Sequence, residues 1–340
     1  MHVNLPNDLK SLTSFRFFAA FWVFLFHLRS RISYEDNWFW GLVDNGARGV
    51  DFFFILSGFV IFHVYEGPIK NGEFSRRSYL IKRFARIYPL HIVMLLIFLL
   101  IAIAGSNQIH GVFASVFLLH SWGLTDGLVL NGPSWTLSAE MFAYILFGVI
   151  VVRSPPTWVI TIAFFATAIG VHFFSLMMGK TAFLHLTWDY GSLRIVPLFI
   201  LGMLLRRLTP RVSILAAALM GIAGLLILLL VATSGPVGYE ILVPFVLIIV
   251  SGARLSDCQN LPSNNKILVY LGEISYSVYM VHIFVIAAFF EYLPKLGAPI
   301  PPWPVICIAL VMCSSVSYHL IEVPSRLWIN KFAYKYKKRR

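Results

Sequence analysis

The chain has 340 residues, of which 59% are hydrophobic and only 12% charged, and its mean hydropathy is +0.79. These values exclude an ordinary soluble domain and read as an all-α integral membrane protein. A net charge of +12 raises nucleic acid as a partner until the basic residues are placed along the chain.

Hydrophobic runs bounded by charges or Gly/Pro clusters predict about ten transmembrane helices. They lie near 11–28, 47–65, 87–104, 135–152, 157–174, 192–205, 212–232, 239–252, 268–290 and 303–321. The runs at 192–205 and 239–252 are short for full spans and are read as kinked, tilted or longer than drawn. With the N-terminus inside, twenty of the 27 lysines and arginines fall on the cytoplasmic side and six on the outer side, with Arg16 inside the first span. That asymmetry predicts both termini in the cytoplasm and accounts for the basic charge without nucleic acid. No internal repeat or long linker interrupts the chain. A single transmembrane domain is therefore expected over 1–340, with a short basic cytoplasmic tail at about 326–340. The first run contains Arg16 and has no small-residue cleavage site after it, so it is expected to stay as a permanent span. Cys258, Cys307 and Cys313 lack metal or redox spacing, and no two histidines share a His-x-x-x-His helix spacing, so neither a disulfide nor a metal site is expected.

The first span carries two polar residues, Arg16 and His27. Eleven residues at about 100° each make roughly three turns, which puts both on one face about 16 Å apart along the axis. An arginine at that depth costs at least about 2.5 kcal/mol unless it faces a cavity or partner, or snorkels to the inner surface. By the same topology His27, Asp51 and Glu140 lie at the outer ends of spans one, two and four, and His282 in the outer half of span nine. Ionisable groups at such depths are functional candidates, with helix-to-helix hydrogen bonding as the competing explanation. His120 falls in an outer re-entrant or short interfacial helix near 111–123, where an interfacial role outweighs an approach to substrate.

Several blocks then follow in a set order. Arg16 to His27 comes first, then Gly49 to Phe59 with Asp51 inside it, and Arg83-Phe84-Ala85-Arg86-Ile87-Tyr88-Pro89. Pro133-Ser134-Trp135-Thr136-Leu137-Ser138-Ala139-Glu140, Ile274 to His282 with Tyr279 inside it, and Glu322-Val323-Pro324 complete the series. In this succession the chain resembles the acyltransferase 3 family, the membrane-bound O-acyltransferases of bacterial surface glycans. Thr136 stands where the family often has serine, a change that keeps the hydroxyl. The resemblance implies a ten-helix fold in the cell inner membrane and transfer of an acyl group, commonly acetyl, from cytoplasmic acyl-CoA to a sugar hydroxyl. The acceptor would be a cell-surface or extracellular polysaccharide, a lipopolysaccharide or a lipid-linked glycan precursor. The chain ends at Arg340 without a hydrolase-like domain, like the family's stand-alone members. An accessory acyl-transfer or polysaccharide-export protein is compatible with that form.

The chemistry fits the resemblance. An alcohol is a poor nucleophile near neutral pH, so O-acylation needs a base or a covalent relay, and histidine suits either task. His27 is the expected base or transient acyl carrier, and Arg16, on the same helix face, is an expected catalytic partner. Asp51 or Glu140 would orient the imidazole, and the sequence does not choose between them. Trp135 offers a platform for a sugar ring, although tryptophan also anchors helices at membrane interfaces. Ser138, Tyr279 and His282 join it as expected substrate contacts. Arg83 and Arg86, three apart on one helical face, resemble the family's donor-binding arginine pair and suit CoA phosphates. Lys82, Arg76 and Arg77 are weaker candidates, and positive-inside retention and anionic-lipid contact compete for the whole group. Phosphates near Arg83 and an acceptor near His27 would be separated by much of the bilayer, so the pantetheine arm would thread between helices past Arg16. No cofactor is expected to stay bound, acyl-CoA being the donor substrate. The alternatives are a succinyl or longer acyl group, a small secreted acceptor such as a macrolide, and a transporter or flippase, which would commonly show repeats and paired broken helices.

Overall fold

The computed structural model describes residues 5–6, 8–34, 37–105, 109–151, 153–258 and 261–337. Among the described residues the chain forms fourteen α-helices and no strand. They are α1 (Lys10–Arg29), α2 (Trp38–Asp44), α3 (Gly49–Lys70), α4 (Arg76–Ala104), α5 (Val112–Val116), α6 (Trp135–Ile150) and α7 (Thr157–Met177). After these come α8 (Gly191–Leu208), α9 (Ile214–Thr233), α10 (Leu242–Leu255), α11 (Lys266–Glu273), α12 (Ser275–Ala287), α13 (Trp303–Ser317) and α14 (Val323–Lys337).

Among the described residues, eight helical segments are long and apolar enough to cross a membrane. The protein is an all-α integral membrane protein, because backbone polar groups in lipid must be satisfied within the helix itself. The two short runs of the sequence fold as α8 and α10. The first falls short of the eight because it carries Arg194, Arg206 and Arg207, and the second because it has only 14 residues. Helices α7 and α9 bury little of their length and expose large apolar residues such as Phe165, Phe173, Leu226 and Leu230, as lipid-facing helices do. The segment expected as a basic tail continues as helix: a π-turn over Tyr318–Glu322 leads from α13 into α14.

The chain divides into two compact units. One comprises residues 1–65, 156–185 and 197–279, the other 66–155, 186–196 and 280–340. In the first unit α1 is the centre, packed on α10, α11 and the turn before α3. Small residues allow that closeness. A Cβ on Gly272 of α11 would collide with the Thr13 carbonyl, and one on Gly49 would lie 2.7 Å from the Ala19 carbonyl. In the second unit α4 packs against α6 and α14. Gly148 of α6 leaves room for the fully buried Tyr79 ring of α4.

Candidate active site

Helix α1 is unbroken from Lys10 to Arg29, so Arg16 and His27 do lie on one stripe, and both are half-buried. The turn at 46–48 and the start of α3 pack against residues 19–26 of α1, one turn from His27. There Arg48 and Asp51 sit three residues apart. The Asp51 carboxylate is fully buried, 4.0 Å from the Arg48 guanidinium.

Arg48 is a hub. It donates to the Leu184 carbonyl at 3.0 Å and the Val237 carbonyl at 2.7 Å, and lies 2.8 Å from His185 Nε2. Arginine has no acceptor, so that imidazole nitrogen must accept and carry no proton. Asn45 ties the same layer together by donating to the Ala232 and Gly235 carbonyls and accepting from the Val237 amide. Two distant segments, 184–185 and 232–237, are thus drawn onto the start of α3. Tyr279, also in this unit, packs edge-on against Phe53 at 6.2 Å between ring centres.

In the second unit the two expected donor arginines have different surroundings. Arg86 is ion-paired with Glu322, which the π-turn after α13 presents at 1% exposure. Burying that carboxylate without a cation would cost several kcal/mol, so Arg86 has a structural task whatever else it does. Arg83 stands with its guanidinium 5.7 Å from the centre of the Tyr144 ring. The Tyr144 hydroxyl donates to the Glu140 carboxylate one turn away on α6. Tyr79 with Gly148 and Arg83 with Tyr144 show α4 and α6 running antiparallel in register. Glu140 therefore lies about 6 Å, one helical turn, from the level of Arg83. Topology alone placed these two residues near opposite surfaces.

The layer around the start of α6 is internally bonded. The Ser138 hydroxyl donates to the Leu118 carbonyl and accepts from the Ser121 amide and hydroxyl. One donor and two acceptors fill a hydroxyl's capacity, so a ligand at Ser138 would have to break one of these bonds. Trp135 is 7% exposed; the Arg194 guanidinium covers its ring at 5.3 Å, and the backbone of Gly191 lies against it. The sugar platform expected there is occupied by the chain itself. Arg194 also donates to the Leu186 carbonyl. His282 is buried on α12, and Asn131 donates to the nearby Met280 carbonyl.

His120 is buried within the protein. It bonds Ser134 at 3.1 Å, and its ring is nearly parallel to that of His91, which bonds the Ser115 carbonyl at 2.8 Å. Burial, reinforced by His91, pushes the His120 pKa down to about 4 against the weaker opposing pull of Ser134 and Ala114. Leu118, Leu130 and Tyr190 in this unit have left-handed backbone, at φ 56°, 48° and 81°. Such strain persists only where the surroundings over-determine it. The Ser138 bond to Leu118 and the fit of the Tyr190 ring over Gly123 supply that determination for Leu118 and Tyr190.

Sequence reasoning assigns no site role to Arg48, Tyr144, Arg194 or His91, and meets Glu322 only as part of a motif block. Two of them carry a local signal: Arg48 is three residues before Asp51 and Tyr144 four after Glu140, both neighbour spacings on a helix. The contacts of Arg194, Glu322 and His91 span distances along the chain that no local pattern reveals. Among the described residues no three His, Cys, Asp or Glu side chains gather as a metal site requires.

Residues 9–322 match the family described as an acyltransferase domain. The chain is 29% identical over 312 residues to acyltransferase MdmB of Streptomyces mycarofaciens, covering 82% of this chain and 79% of that protein. It is 33% identical over 113 residues to protein 2 in the picA locus of Rhizobium radiobacter, covering 27% of this chain and 59% of that protein. No solved structure matches the chain.

Proposed function

The chain belongs to this acyltransferase family, and we propose that it moves an acetyl group from cytoplasmic acetyl-CoA to a sugar hydroxyl of a cell-surface glycan or its lipid-linked precursor. The observation that carries this reading is the unbroken α1, which fixes the basic Arg16 and the proton-accepting His27 on one stripe of a membrane helix. Ionisable groups within a membrane helix are functional candidates by default. In the reaction the acceptor's oxygen attacks the thioester carbonyl carbon while His27 takes the hydroxyl proton. The C–S bond then breaks and the CoA thiolate is protonated by the imidazolium, which restores the neutral base. A transient acyl-imidazole is the covalent version of the same step.

Arg16 stabilises negative charge that develops at the carbonyl or phosphate. Asp51, held beside Arg48 in the unit that carries His27, supports the imidazole, and Glu140, held by Tyr144, is a second carboxylate taking part in transfer. Arg83 serves the donor's phosphates, and Tyr279 and His282 serve the acceptor. Arg86 joins Arg83 only to the extent that Glu322 leaves its charge available. The protein sits in the cell inner membrane with both termini in the cytoplasm, α8 and α10 crossing as short, polar-ended spans.

The test is the O-acetyl content of surface polysaccharide, read by NMR in a deletion strain carrying wild type or His27→Ala at matched expression. Loss of a sugar acetyl signal that wild type restores and the variant does not supports the reading. An unchanged signal in all strains overturns the glycan acceptor.

A further inference from the structure

Tyr144 lies between two residues to which the proposed function gives separate tasks. Its ring is 4% exposed, wedged edge-on against Tyr79 at 6.4 Å and lying under the Arg83 guanidinium. Its hydroxyl donates to Glu140. A phenol bonded to a carboxylate one turn away restricts the rotamers of both side chains, because neither can turn without losing a charge-assisted bond. The ring face supplies the negative quadrupole that holds the guanidinium in place.

We infer that Tyr144 is a positioning residue that couples the donor-binding Arg83 to Glu140: its ring sets the guanidinium and its hydroxyl sets the carboxylate. This rests on the roles proposed for Arg83 and Glu140. The two functions of Tyr144 are separable, because phenylalanine keeps the ring and removes the hydroxyl, whereas leucine removes both.

The experiment uses the purified full-length protein in proteoliposomes. Equilibrium binding of CoA and acetyl transfer from acetyl-CoA to O-deacetylated surface polysaccharide are measured for wild type, Tyr144→Phe, Tyr144→Leu, Arg83→Met and Glu140→Gln, with melting temperatures as folding controls. Tyr144→Phe is expected to bind CoA as wild type does but to transfer on the order of 10- to 100-fold more slowly, as misplaced catalytic groups do. Tyr144→Leu is expected to lose the rate and also to weaken CoA binding by about 3- to 10-fold, the range of a partly buried cation–π contact. Wild-type transfer by Tyr144→Phe in a background where Glu140→Gln is slow would overturn the inference and leave the proposed function standing. Wild-type CoA binding by Tyr144→Leu where Arg83→Met binds poorly would do the same. Wild-type behaviour of both Arg83→Met and Glu140→Gln would remove the roles proposed for those residues, and the inference with them.

Discussion

The Arg86 guanidinium is paired with the Glu322 carboxylate, two side chains 236 positions apart in the chain that meet inside one compact unit. Only 1% of Glu322 is exposed, so the pair replaces water for a charge that could not otherwise be buried.

Removing one partner should therefore cost more than removing both. Arg86→Met is expected to destabilise the protein by about 3–5 kcal/mol, the usual penalty for an uncompensated buried charge. Arg86→Met with Glu322→Gln should recover most of it, measured as melting temperature in detergent. If the double variant regains stability but binds CoA poorly, Arg86 also serves the donor. If CoA binding returns with stability, its task is structural alone.

Arg48 should behave as a fork rather than a point charge. Arg48→Lys cannot reach the Leu184 and Val237 carbonyls and Asp51 together, and Arg48→Met reaches none of them. We expect a stability loss of about 2 kcal/mol for methionine, a smaller loss for lysine, and acetyl transfer falling in the same order. Equal transfer by lysine and arginine would show that charge alone suffices.

The His120 imidazole gives stability a defined pH dependence. Its folded pKa near 4 lies below the ordinary 6.5, so the unfolded chain binds the extra proton between those values. The contribution is fully present above about pH 6.5 and is lost as pH falls toward 4, with a total on the order of 3 kcal/mol. Melting temperatures from pH 7.5 to 4.5 should fall more steeply for wild type than for His120→Gln. Parallel curves would refute this.

Gly272→Ala tests the closeness of α1 and α11. The added methyl meets the Thr13 carbonyl and the backbone beside it, an overpacking expected to cost about 1–3 kcal/mol and to displace the helix that carries Arg16 and His27. Gly170→Ala on α7, where a Cβ meets nothing within 4 Å, should leave stability unchanged or raise it by about 0.5–1 kcal/mol through helix propensity. Transfer should fall with the first substitution and persist with the second.

Apolar length and charge asymmetry were enough to identify a helical membrane protein, because lipid demands internally bonded helices whose apolar residues can be counted along the chain. The stripe holding Arg16 and His27 was equally legible, since a helix repeats its face every few residues. The ordered motif blocks were sufficient to suggest the family. Tertiary structure decided which charge meets which partner. It put Glu322 on Arg86, a tyrosine between Arg83 and Glu140, Arg194 over Trp135, and two remote carbonyl-bearing segments around Arg48 and Asn45. These contacts depend on how closely helices approach and on which turns the polar groups then face. That closeness is set by residues such as Gly148 and Gly272, whose missing side chains cannot be matched to a neighbour until both helices are in place.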